Sequence, residues 1–192
     1  MKKNSLSAWF IAFTLGCSSE LITLSLQEEA QATVPASDPV TGGLTDLVGD
    51  LGFSGFTDMK ISESQELQNQ GVEPGDITTV YLTEFVLEVV EPQGQDLSFL
   101  SSVSVYVEAE GQEKELVAYS DEFSEGESSV VFSLEEVDLA PYVVSETMSL
   151  STDVEGSLPS EEVTIKAIFD LDVGVTKQGA CRAISGEADT GS

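Results

Sequence analysis

From Val163 to Val175 the chain alternates with a period of two for thirteen residues. Val163, Ile165, Ala167, Phe169, Leu171, Val173 and Val175 share one parity, and Thr164, Lys166, Asp170 and Asp172 the other. Only Ile168 and Gly174 blur the pattern. That period fits a strand with one buried face and cannot be laid on one stripe of a helix. Ser102 to Glu110 repeats it, with Val103, Val105, Val107 and Ala109 opposite Ser102, Ser104, Tyr106, Glu108 and Glu110. Thr79 to Val90 carries apolar residues on both parities, Tyr81, Phe85, Leu87 and Val89 against Val80, Leu82 and Val86, and predicts a strand covered on both sides.

Further strands are predicted at Leu21 to Leu26, Thr57 to Ile61, Glu115 to Tyr119, Ser129 to Leu134 and Thr147 to Val154. Turn chemistry separates them, as at Glu73-Pro74-Gly75-Asp76, Pro92-Gln93-Gly94, Glu110-Gly111-Gln112 and Ser124-Glu125-Gly126. Seven or eight strands at this spacing predict an all-β fold, an antiparallel Ig-like β-sandwich. One short helix is expected at Leu44 to Leu51, where Leu44, Leu47, Val48 and Leu51 follow helical spacing, and a further helical turn near Asp138 to Tyr142.

The N-terminal sequence MKKNSLSAWFIAFTLGC has the layout of a secretory signal: Lys2 and Lys3, an apolar run from Leu6 to Leu15, then Gly16-Cys17. The run is about ten residues, half of what a bilayer-spanning helix needs. It resembles the lipobox of bacterial lipoproteins, although Thr14 stands where Leu is usual and Leu15 where a small residue is commoner. The resemblance implies acylation of Cys17, and Ser18-Ser19 after it implies sorting to the outer membrane. Cleavage after Ala30-Gln31-Ala32 is the alternative export site. If Cys17 is acylated no disulfide is expected; otherwise Cys17 and Cys181 form one in an oxidising compartment. The expected organisation is a signal peptide at 1–16, one domain at 17–184 with a flexible Pro-, Gly- and Ser-rich loop at 33–43, and a disordered tail at 185–192.

Charge narrows the function. The 192 residues hold 35 acids, 7 bases and no histidine, a net charge of -28. No basic face is available for nucleic acid. Absent imidazole, Ser-His-Asp and Cys-His nucleophile pairs and histidine-ligated zinc sites are excluded. Without residues 1–16 the balance becomes 35 acids against 5 bases. Such a surface repels anionic lipid headgroups, so attachment would depend on the acyl chains. It also suits a salty medium, where ions screen self-repulsion.

Acids are the candidate site residues. Glu28-Glu29, Asp121-Glu122 with Glu125 and Glu127, Glu135-Glu136 with Asp138, Asp153 with Glu155, Glu161-Glu162, and Asp170 with Asp172 form close groups. Calcium takes six to eight oxygens, and Asp170, Asp172, Asp121 and Glu122 are its candidate ligands, Asp170 and Asp172 lying about 7 Å apart on one strand face. The plainer reading of each is a solvated face, and no segment matches a calcium-loop motif. Tyr106, on a polar strand face, is a candidate contact for sugar or peptide.

The segments Ser64-Gln65-Glu66-Leu67-Gln68-Asn69-Gln70-Gly71-Val72, Glu91 to Leu100 and Asp172 to Cys181 resemble uncharacterised predicted lipoproteins of myxobacterial type. The resemblance implies export and a β-rich domain, and no activity. The expectation is therefore a lipid-anchored protein of the outer membrane or cell surface, a non-catalytic binding or structural module. Its partner would be an envelope or extracellular protein or polysaccharide. The alternative is a secreted calcium-dependent adhesion or carbohydrate-binding domain, and a third reading is a carboxylate-based hydrolase.

Overall fold

The computed structural model describes residues 22–37 and 46–176. Cys17, Cys181, the signal and the tail lie outside the described residues. Nine strands appear in chain order: β1 (Ile22–Val34), β2 (Asp46–Gly49), β3 (Ile77–Glu91), β4 (Leu100–Ala109), β5 (Glu115–Ser120), β6 (Ser129–Val131), β7 (Ser133–Leu134), β8 (Met148–Ser157) and β9 (Val163–Val175). Two short helices, α1 (Gln65–Asn69) and α2 (Ala140–Val143), lie between them. The strands form the antiparallel sandwich that the alternation predicts, with sheet order β1-β9-β3-β6 facing β2-β8-β4-β5-β7.

The core is built from the predicted parities. All seven inward residues of β9 from Val163 to Val175 are buried, and across from them lie Val103, Val105 and Val107 of β4 and Met148, Leu150 and Val154 of β8. Each large apolar side chain so enclosed contributes about 1.5–3 kcal/mol relative to exposure.

Four expectations are corrected. β3 is covered on one face only. Its ladder with β9 shifts register between Ile77 and Thr79, Leu82 and Glu84, and Val89 and Glu91. Each extra residue reverses the parity that follows. Val80 therefore points inward with Phe85 and Leu87, while Tyr81 is exposed. The stretch read as a helix at Leu44 to Leu51 holds β2 instead, paired with Val154–Ser157 of β8. Gly49 at φ 122 and Gly52 at φ 72 break the helical pattern. Leu51 does turn inward, its N–H donating to Thr152 Oγ1 at 2.8 Å.

Thr57 to Ile61 is no strand. Asp58 takes φ 53, and the segment pairs with β8 at a single bridge, Met59 with Met148, beside which Asp58 N donates to the Ser149 hydroxyl at 3.0 Å. It belongs to a connection from 50 to 76 that lays Phe53 and Phe56 into the core, Phe56 edge-on to Phe169 at 5.0 Å. Lastly, Ser129 to Leu134 is not one strand, because β6 pairs with β3 in one sheet and β7 with β5 in the other.

β1 is longer than predicted, thirteen residues in unbroken register with β9. It absorbs Thr33 and Val34 of the expected loop, and of that loop residues 38–43 lie outside the described residues. α2 matches the expected helical turn. Asp138 Oδ1 accepts from Val80 N and Ala140 N, both at 3.0 Å, and fixes it to β3. α1 has no sequence forecast; Ser64 caps it by accepting from Leu67 N, and Leu67 is fully buried.

Candidate functional site

Where the chain passes from β6 to β7 it changes sheets, with Phe132 turned into the core against Phe85 at 5.0 Å. The two sheets part at this corner and leave an open groove of about 580 Å³. Its floor is the Ser129–Ser133 stretch, and its walls are the end of β5 with Tyr119, Ser120, Asp121 and Glu122, and the following turn with Ser124 and Glu127. Tyr119 is 40% exposed and Val131 64%. Four serines, three carboxylates, a phenol ring and exposed valine offer hydroxyl donors, acceptors and apolar contact on one concave surface, with no basic side chain in the lining among the described residues.

The turn that borders the groove is braced from below. Glu127 Oε2 accepts from Ser124 N at 3.3 Å, and the Glu127 carbonyl accepts from Leu97 N at 2.9 Å. Asp96 joins the neighbouring loop: its Oδ1 accepts from the Ser98 hydroxyl at 2.6 Å and Ser98 N at 3.0 Å, and its Oδ2 from Gly126 N at 2.7 Å. The Ser98 hydroxyl foremost, then the Gly126 and Ser98 N–H groups, hold the Asp96 carboxyl below its usual value.

The four candidate calcium ligands fall into two places. Asp121 and Glu122 line the groove. Asp170 and Asp172 lie on the outer face of the other sheet, where Asp170 Oδ1 accepts from Gln27 Nε2 at 2.8 Å and Asp172 Oδ1 from the Ser25 hydroxyl at 2.9 Å. Among the described residues no three His, Cys, Asp or Glu side chains converge as a metal site. Tyr106 sits on the outer face of β4 with Lys114 Nζ 4.7 Å above its ring. Ala30-Gln31-Ala32, the alternative cleavage site, lies inside β1, where Ala30 and Ala32 are buried.

A second, smaller groove follows Glu28, Lys60, Ser64, Gln65 and Glu66. Glu28 occupies the inward parity of β1; burial first, and Glu66 beside it, raise its carboxyl above the usual range. Sequence reading missed Tyr119, Ser129, Val131 and Ser133 as a surface. The available signal was the serine- and acid-rich stretch 120–129 between two apolar segments.

No protein-family profile matches the chain, and no curated protein matches it. Among solved structures, similar chains include the decameric BFDV capsid protein, at TM-score 0.45 and 9% identity over 81% of this chain and 99% of that one. The 60-mer BFDV capsid protein has TM-score 0.41 and 12% identity over 82% and 94%.

Proposed function

We propose that the chain is an exported, lipid-anchored protein of the outer membrane or cell surface that acts as a non-catalytic binding module. The corner groove serves as its binding face, and the groove's mixed lining of hydroxyls, carboxylates and exposed Tyr119 is the observation that carries this reading. Absence of imidazole and dispersal of the acids over both sheets and their loops favour binding over catalysis. Anchoring at Cys17 agrees with the placement of β1. The strand begins five positions later, at Ile22, whereas cleavage after Ala32 would remove all of it but Thr33 and Val34. At about 3.3–3.6 Å per residue, so short a connection keeps the Ile22 end of the sandwich beside the bilayer.

Expression of the full chain and of Cys17→Ser, with membrane fractionation and mass spectrometry of the N-terminal peptide, tests the anchor. The expected outcome is an acylated cysteine and membrane retention for the native chain, and release of the Cys17→Ser chain. An unmodified Cys17 in the mature protein would overturn it.

A further inference from the structure

We propose that the open edge of β6 is a docking site for an extended, basic peptide segment of a partner protein, added to the sheet as a further strand. The inference rests on reading the corner groove as a binding face, and it names the occupant.

Among the described residues β6 ends its sheet order, next to β3. In the β3–β6 ladder Val89 N donates to Ser128 O at 2.8 Å and Phe132 N to Phe85 O at 2.9 Å. Antiparallel pairs alternate between bonded and non-bonded residues. Ser128, Val130 and Phe132 therefore face β3 with their main-chain groups, and the N–H and C=O of Ser129 and Val131 point the other way, to the open edge. Sheet edges are commonly protected by lysine, proline or a bulge. Ser129-Val130-Val131 has no charge and no proline, and its register with β3 is unbroken. The groove runs beside this edge.

Charge selects the partner. Among the described residues Asp121, Glu122 and Glu127 line the groove and no lysine or arginine does, so a strand lying there meets carboxylates along its flank. Exposed Tyr119 and Val131 offer apolar contact to the alternate side chains of that strand. A segment alternating basic and β-branched residues satisfies both, with main-chain bonds supplying attraction and the acids supplying choice.

The test uses the full chain in detergent and three ten-residue probes: alternating Lys and Val, the same with Glu for Lys, and the Lys–Val peptide N-methylated at alternate amides. The Lys–Val peptide should bind and slow amide exchange at Ser129 and Val131, while the other two fail. Asp121→Asn with Glu122→Gln should weaken binding about fivefold and flatten its salt dependence. Val131→Pro, which removes an edge donor without removing a bond to β3, should abolish it. If that variant unfolds, the N-methylated peptide still decides the matter. Equal binding by the N-methylated peptide, or binding without protection of Ser129 and Val131, overturns the proposal. Protection of those amides by chitohexaose but not by the Lys–Val peptide keeps the groove as a binding face and overturns the peptide occupant. Release of the Cys17→Ser chain from membranes bears on the anchor alone.

Discussion

Two carboxylates with opposite surroundings pull stability in opposite directions with pH. Asp96 accepts three hydrogen bonds in its ionised form, and its carboxyl is held below the usual 3.8. The contribution from Asp96 is present above 3.8 and is lost as pH falls through the lowered folded value. Glu28 is partly desolvated beside Glu66, and its carboxyl is raised above 4.5. The folded state binds that proton more tightly, so the Glu28 contribution is favourable in acid and is lost as pH rises from 4.5 through the raised value. Thermal unfolding measured from pH 3 to 8 should therefore separate the variants. Asp96→Asn lowers Tm at pH 7 and converges on the native chain as pH falls below 3.8. Glu28→Gln raises Tm at pH 7 by about 1–3 °C, modest because the group remains half solvated, and gains nothing below pH 4.5. A Glu28→Gln chain less stable than the native one at pH 7 would show that the carboxylate is held by a favourable contact.

At the scale of elements, the connection from 50 to 76 closes the sandwich beside β1 and β8. Gly55 lies so close to Ala30 that a Cβ added there would stand 2.8 Å from the Ala30 Cβ, and Phe56 inserts behind it against Phe169. Phe56→Ala should cost about 3–5 kcal/mol by removing a buried ring, with denaturant midpoint and m-value read together. If the midpoint is unchanged, the connection is not part of the cooperative core. Sequence reading took Thr57 to Ile61 within this element for a strand, because Thr57, Met59 and Ile61 share a parity, and left Phe53 and Phe56 without an element, because the four apolar residues Phe53, Phe56, Met59 and Ile61 together hold neither period. The strands were legible where one parity stays apolar throughout, as in β4 and β9. β3 misled because its register shifts scramble parity, and β1 because Gln27-Glu28-Glu29 interrupts an inward series that resumes at Ala30. The groove was half legible. Asp121 and Glu122 stand out in the sequence, but Tyr119, Ser129 and Val131 join them only because the chain changes sheets at Phe132.

Charge governs the molecule as a whole. Each base among the described residues already has company: Lys60 is 3.9 Å from Glu63, Lys114 lies over Tyr106, and Lys166 is 2.7 Å from Glu88 and 3.7 Å from Glu29. Glu88, and Glu29 after it, raise the Lys166 ammonium above its usual value. The other carboxylates repel one another across both outer faces and the loops. The range of that repulsion falls from about 10 Å in 0.1 M salt to about 3 Å at 1 M. Tm should therefore climb as sodium chloride is raised from 0.05 to 1 M. Lys166→Gln should lower Tm at low salt by leaving Glu29 and Glu88 opposed across β9, and the deficit should shrink at 1 M. The same titration separates diffuse screening from a built cation site. Because Asp170 and Asp172 already accept bonds from Gln27 and Ser25 on one sheet, and Asp121 and Glu122 stand apart in the groove, calcium chloride at matched ionic strength should raise Tm no more than sodium chloride. A calcium-specific rise that Asp121→Asn with Glu122→Gln removes would instead place a cation in the groove and restore the calcium-dependent adhesion reading. A flat response to both salts would show that the native surface disperses its charge well enough for repulsion not to limit stability.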